Sequence, residues 1–278
     1  MQNPTPLTDL SALARNRARA SRAPALFLQE DMATEVQERL IEVNRTFTTP
    51  AIVAPFANFW RDKVRGAKVV GDSELLDLTE ASHDLVIHAM SLHWANDPVG
   101  QLVQCRRALK PDGLFLGLLF GGQTLSQLRS CLAEAETEVS GGLSPRVVPM
   151  GEIRDLGGLL QRAGFALPVA DSITRTVFYR DAFHLMADLR AMGEANALTQ
   201  RLRKPTKRQV FARAAQIYQN NFSRADGRIA ATFEVICLTG WAPEKGQQIP
   251  LRPGSATHRL SDLLGTDETP LPRSPGES

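Results

Sequence analysis

The sequence predicts a three-layer α/β fold built on a mainly parallel sheet. Apolar, strand-like runs at residues 46–54, 68–70, 84–90 and 114–120 alternate with helix-like stretches, the pattern of helices crossing over a parallel sheet. Residues 114–120 are apolar without a break, as in a strand buried on both faces. The chain has 278 residues, 43% of them hydrophobic and 22% charged. That is enough to bury the core of one large domain, and it excludes a disordered, collagenous or disulfide-stapled chain.

Residues 9–43 read as two amphipathic helices. Leu10, Leu13 and Ala14 form the stripe of the first; Val36, Leu40, Ile41 and Val43 form that of the second, which Asp31 or Thr34 would cap. A β-prone run around Ile52 and Val53 follows, and residues 56–65 suit one helix. Lys68-Val69-Val70 is a short strand ending in Gly71-Asp72. The strand at 84–90 leads through a polar loop to a helix over 98–109. Lys110-Pro111-Asp112-Gly113 has turn chemistry. Gly121-Gly122 closes the strand at 114–120, and Thr124 would cap a helix over 125–139.

In the second half, a helix within 151–165 ends at Gly164, the left-handed position just past a helix. Residues 173–179 alternate as a strand, 183–192 and 207–221 read as helices, and 230–241 form the last strand, with β-branched and aromatic residues. A turn at 224–227 precedes it. The chain thus divides into an N-terminal helical lead (1–45), an α/β domain (46–250) with a helical insertion at about 181–222, and an extended, partly disordered tail (251–278).

A net charge of +2 is too balanced to argue for a nucleic-acid partner. No window has the roughly 18 consecutive apolar residues of a membrane span. Cys105, Cys131 and Cys237 lie far apart, with neither a disulfide framework nor zinc spacing, which suits a reducing compartment. No secretory signal is expected. The Arg-, Ala- and Ser-rich residues 12–23 have the composition of a mitochondrial transit peptide, but apolar periodicity follows without a break, so an exposed basic helix is the preferred reading.

Ligands of open parallel sheets sit at the carboxyl ends of the strands. Those ends are Ala54-Pro55, Asp72-Ser73, residues 91–96 and Phe120-Gly121-Gly122. The residues that build them also carry a family likeness. Asp84-Leu85-Val86-Ile87, Ser91-Leu92-His93-Trp94 and Leu109-Lys110-Pro111-Asp112-Gly113 resemble the middle of a class I S-adenosylmethionine (SAM) methyltransferase. Phe120-Gly121-Gly122-Gln123-Thr124-Leu125, Gly141-Gly142-Leu143-Ser144-Pro145-Arg146, Ala163-Gly164-Phe165, Met192-Gly193-Glu194 and Gly240-Trp241 resemble the assembly factor 5 family of respiratory complex I and its bacterial relatives. The resemblance implies a Rossmann-like methyltransferase fold over residues 46–250, a protein partner such as a complex I subunit, and bacterial cytoplasm ahead of the mitochondrial matrix. A homo-oligomer stays open.

The resemblance fails in one place. Such proteins open their sheet with a strand, an acid and a Gly-x-Gly-x-Gly loop, whose glycines let the backbone turn tightly and approach the cofactor. This chain has Ile52 for the acid and Ala54, Phe56 and Asn58 for the glycines, with Pro55 removing a backbone donor. Residues 51–72 are only 22 positions, and one strand–helix–strand unit takes roughly 30. A shortened sheet is therefore expected, with one helix linking the strands of Ile52 and Val69 and its freed edge covered by the N-terminal helices or a second subunit.

Asp72 has two alignments. The preferred one makes it the acid of a later strand, facing adenine; the rival makes it the ribose acid, 18 residues after Ala54. Asp72, Ser73 and His93 are the candidate cofactor contacts, in a pocket expected to be vestigial. His88 is a strand residue at its mouth. No catalytic residue and no metal ligand set is assigned, and no cofactor is expected unless the pocket keeps SAM. Residues 91–94 and Phe120-Gly121-Gly122 are expected to form one concave surface, with Gly121 serving a ligand rather than packing. Arg15, Arg17, Arg19 and Arg22, and the segment Arg201-Leu202-Arg203-Lys204 with Lys207, Arg208 and Arg213, are either docking surfaces for an acidic partner or solvated faces. The three functional readings are a degenerate methyltransferase-like protein acting through protein contacts, an active SAM-dependent methyltransferase, and a protein-arginine hydroxylase, the last implied by the family alone.

Overall fold

A computed structural model describes residues 5–244. The elements are α1 (Leu10–Ala20), α2 (Phe27–Val43), β1 (Pro50–Val53), α3 (Ala57–Trp60), β2 (Lys68–Val70), β3 (His83–Ala89), α4 (Pro98–Ala108), β4 (Leu109–Phe120), α5 (Ser126–Ser140), α6 (Ile153–Ala163), β5 (Ala166–Tyr179), α7 (Ala182–Ala191), α8 (Arg208–Phe222) and β6 (Ile229–Trp241). They make one six-stranded sheet of order β2-β1-β3-β4-β6-β5. Strands β1 to β4 run parallel, and β6 is antiparallel to both β4 and β5.

Period-two alternation splits the core into two layers. Ile52, Leu85, Ile87 and Leu116 face α2, α5, α7 and α8; Ala51, Val53, Val86 and Phe115 face α4 and α6. Local signals set several boundaries. Asp97 caps α4 by accepting from Gly100 N, with Pro98 in the first turn and Arg106 and Arg107 in the last. Gly164 ends α6 at φ 82°.

Other expected caps are spent elsewhere. Helix α2 starts at Phe27 without a side-chain cap. Asp31 instead accepts from Arg175 on β5, and Thr34 donates to the Glu30 carbonyl. The Thr124 hydroxyl donates to the Glu234 carbonyl, and α5 begins after a left-handed Leu125. The expected turn at 110–113 is absorbed into β4, with Asp112 at φ 57°.

The shortened crossover is present: only the single-turn α3 lies between β1 and β2. The strand of Val69 pairs directly with β1, Ile52 opposite Val69. Three residues make a very short edge, and the exposed Lys68 donates to the Asp77 carbonyl at 2.5 Å, so length and charge blunt it. Trp60 turns inward instead, fully buried, its indole N–H donating to Gln29 Oε1 at 2.8 Å.

Candidate functional site

Because β1 to β4 are parallel neighbours, the carboxyl ends of these strands share one rim, and the chain lays its own residues across it. Helix α1 starts at Asp9, which accepts from Ala12 N. It buries Ala12, Leu13, Asn16 and Ala20, so residues 10–20 are built into the fold. Arg17 Nη1 donates to Asp72 Oδ2 at 2.5 Å, with both side chains about seven-eighths buried. Asn16 Nδ2 donates to the Ala195 carbonyl at 2.8 Å, tying α1 to the segment after α7. In that segment Gly193 has φ +80°, and a Cβ there would lie 3.1 Å from Arg17 Cγ and 3.5 Å from Phe56 Cζ. Only glycine combines that backbone with that approach.

The remaining gap, lined by Leu10, Leu13, Asp72, Ser91, Trp94 and Gln101 among others, has a volume of about 10 Å³. Small-molecule sites take roughly 300 Å³ or more. Arg17 Nη2, His88 Nδ1, Ser91 Oγ and His93 Nδ1 are buried near this rim without a partner among the described residues. The rim is therefore polar, and its groups leave little space between them. No glycine lies between Pro50 and Arg65 to bring the backbone closer.

The three candidate contacts are split among separate networks. Asp72 belongs to Arg17. Ser73 is exposed; its hydroxyl donates to the Leu75 carbonyl, and only its own carbonyl reaches inward, accepting from Gln101 Nε2. Gln101 Oε1 meets His88 Nε2 at 2.8 Å. His93 faces the other way, its Nε2 donating to Glu194 Oε2 at 3.1 Å, and Trp94 Nε1 donates to the same oxygen at 2.6 Å. Sequence reasoning missed Arg17, Gln101 and Glu194 as parts of the site. The Gly193-Glu194 pair, a strained glycine beside an acid, was the available signal.

Glu194 lines a cavity of about 250 Å³, with apolar walls that include Phe120, Leu128, Met186, Leu189 and Phe233. Its Oε1 accepts no hydrogen bond from the described residues. Burial pushes the Glu194 carboxyl up, but His93, Arg17 and the Trp94 N–H outweigh it and hold the group below the usual carboxylate range. Arg146, also on the wall, is neutralised by a two-pronged pair with the buried Glu136, at 2.9 and 2.6 Å. Gly121 does not open onto a ligand surface: a Cβ there would meet Ile236 Cγ1 at 2.5 Å, so its role is to let β4 pack on β6.

Burial pushes the fully buried His88 below its ordinary value, against the opposing pull of Gln101 and Asp72. The unfolded chain then takes up this proton first. Stability should fall as pH drops below about 6.5, by up to about 1.4 kcal/mol per pH unit, until the folded state is protonated too. Urea unfolding at about pH 7 and about pH 5.5 should show a steeper loss for the native chain than for His88→Gln; equal losses would remove His88 as the cause.

Fold and sequence place this chain in the class I SAM methyltransferase superfamily. A family model described as a methyltransferase domain matches residues 32–117. The chain is 38% identical over 227 residues to the mitochondrial arginine-hydroxylase NDUFAF5 of Rattus norvegicus, covering 82% of this chain and 66% of that protein. Against the Homo sapiens protein of the same name it is 34% identical, covering 92% and 82%. A malonyl-[acyl-carrier protein] O-methyltransferase of Xylella fastidiosa is 35% identical over 64% of this chain and 58% of its own length. Among solved structures, a methyltransferase of Bacillus halodurans is 15% identical, covers 74% of this chain and 98% of its own, and has a TM-score of 0.47. The chain belongs to the NDUFAF5 arginine-hydroxylase family. It spans between 48% and 82% of the length of the NDUFAF5 relatives it matches. Among the described residues no helix is long and apolar enough to cross a membrane.

Proposed function

We propose that this chain is a protein-binding member of the family, with its ordinary SAM site closed and its Glu194 cavity taking an arginine side chain of a partner. The observation that carries the reading is Glu194, a buried carboxylate with one oxygen bonded to His93 and Trp94 and the other free in an apolar cavity. Arginine has the matching chemistry: an aliphatic stem for apolar walls and a guanidinium for a carboxylate. Arg146 is already paired, and Arg190, the other cation lining the cavity, is exposed and solvent-screened. The relatives' name, arginine-hydroxylase, supports the residue type. A complex I subunit is the proposed partner, in keeping with the family resemblance, and the bacterial cytoplasm is the proposed setting, in keeping with three cysteines without disulfide spacing. Binding is the function assigned.

Closure of the SAM site is supported by the Arg17–Asp72 pair, the Phe56 ring under Gly193 and the 10 Å³ gap. Losing hydrogen bonds to a charged ligand costs about 1.5–3 kcal/mol each, before any clash. Calorimetric titration with SAM to about 100 μM should give no saturable heat. Nα-acetyl-arginine amide should bind, and its uncharged citrulline analogue should not. A micromolar SAM affinity, or SAM carried through purification, overturns the closed-site reading; equal behaviour of the arginine and citrulline probes overturns the cavity assignment.

One observation favours the second reading, an active SAM-dependent methyltransferase. Asp72 follows a strand that neighbours β1, the place that dinucleotide-binding sheets give to the ribose acid. The same SAM titration decides between the two.

A further inference from the structure

Beyond that cavity, the outer side of α1 carries cations that no carboxylate of the described residues balances. Arg15 and Arg19, at i and i+4, share one face of α1, Arg22 follows just past its end, and all three are exposed. Like charges at this spacing destabilise a helix. Arg19 bonds only the neutral Asn16, and no carboxylate of the described residues lies within 4.0 Å of Arg15, Arg19, Arg22 or Arg190. Among the described residues eleven lysines and arginines do find one, from Arg17 to Arg228. At the start of the same helix Arg201 and Arg203 share the single carboxylate of Asp9, which leaves a further net positive charge.

Between α1 and α7 runs a cleft of about 270 Å³ that Arg19 and Arg190 both line. On α7 the residues Phe183, Ala187 and Arg190 also recur at i, i+4 and i+7, and the Phe183 ring is 52% exposed. Arg19 and Arg190 thus border one groove between two helices, and the exposed Phe183 lies further along α7, outside the groove's lining.

We infer that this groove docks an acidic amphipathic segment of a partner protein, its carboxylates on Arg15, Arg19, Arg22 and Arg190 and an apolar side chain on Phe183. Charge complementarity selects the occupant. Guanidiniums pair with carboxylates in two-pronged geometry, and a groove between helices accepts a helix or strand laid along it. A flat lipid surface would need apolar side chains beside the basic stripe, and the large exposed apolar residue of α1 is Leu10, away from the Arg15–Arg19 face. This surface is separate from the Glu194 cavity, so a peptide without arginine tests it alone.

The probe is a fluorescein-labelled helical peptide with glutamates at i, i+4 and i+7, one leucine and no arginine, read by anisotropy against the full chain. Binding should weaken with salt and fall about tenfold or more in the Arg19→Glu/Arg190→Glu variant. Arg19→Lys/Arg190→Lys should keep most of it, and Phe183→Ser should weaken it without changing the salt slope. Equal affinity of the native chain and the charge-reversed variant overturns the proposal. So does tighter binding of vesicles containing phosphatidylserine, or of single-stranded RNA, than of the peptide. Circular dichroism of each variant shows that α1 remains folded, and Arg22→Glu, which lies beyond the end of α1, repeats the charge test should the double variant unfold.

Discussion

Replacing Glu194 by glutamine is expected to cost the cavity nearly all of its affinity for an arginine side chain. Glutamine keeps the shape and can still accept from the Trp94 N–H, which lies 2.6 Å from the carboxylate. What it loses is the charge. Removing one partner of a desolvated charge pair costs about 2–5 kcal/mol, which is about 30-fold or more in dissociation constant. The measurement is calorimetric titration of Nα-acetyl-arginine amide into the native chain and Glu194→Gln. The citrulline analogue performs the same subtraction from the ligand's side, so the result survives if the variant is destabilised by the loss of a carboxylate next to Arg17 and His93. If Glu194→Gln binds the arginine probe as the native chain does, the free oxygen of Glu194 is not a guanidinium receptor. The expected acid sensitivity follows from the same group. Its carboxyl is held below the usual range, so its contribution is present above the unfolded value near pH 4.3 and is lost as the pH falls through the lower, folded one.

The strands and most helices were legible because their signals are local. The unbroken apolar run of β4, the Asp97-Pro98 start of α4 and the Gly164 stop of α6 each act within a few residues, and each holds in the structure. The misread caps were local signals outbid by distant partners. Asp31 lies 144 residues from Arg175, and Thr124 lies 110 from the Glu234 carbonyl that takes its hydroxyl. Composition alone could not rank those partners against a helix N-terminus.

The site was less legible for the same reason. Strand-end logic placed Asp72 and His93 on one rim, but each is defined by a group it cannot see in sequence: Arg17, 55 residues upstream, and Glu194, 101 residues downstream. Ser73, a candidate by its place at a strand end, turns its hydroxyl onto its own loop. The missing sheet element was readable by counting, since residues 51–72 are too few for two crossovers. The outer neighbour of β1 was not: the strand of Val69 pairs with it directly, the position that the rival alignment of Asp72 requires.

Burial gives the Arg17–Asp72 pair its weight, and its removal is the second large effect. Arg17→Ala leaves the Asp72 carboxylate about seven-eighths buried with no counter-ion, a change worth on the order of 3 kcal/mol. Asp72→Ala strands the guanidinium in the same way. The double variant leaves neither charge, so its cost should fall well short of the sum of the two single costs, with a coupling above about 1 kcal/mol in urea unfolding at neutral pH. Additive costs would mean that the pair is only a surface contact. The same proteins also separate the two reasons for expecting no SAM binding. If α1 alone blocks the rim, Arg17→Ala should gain saturable SAM binding, because it removes the side chain that lies against Asp72 and under Gly193. If the backbone is the obstacle, the variant should stay as blind to SAM as the native chain. The second outcome is expected: Ala54, Pro55 and Phe56 are unchanged, no glycine lets that loop approach the ligand, and the Phe56 ring keeps its place beside Gly193.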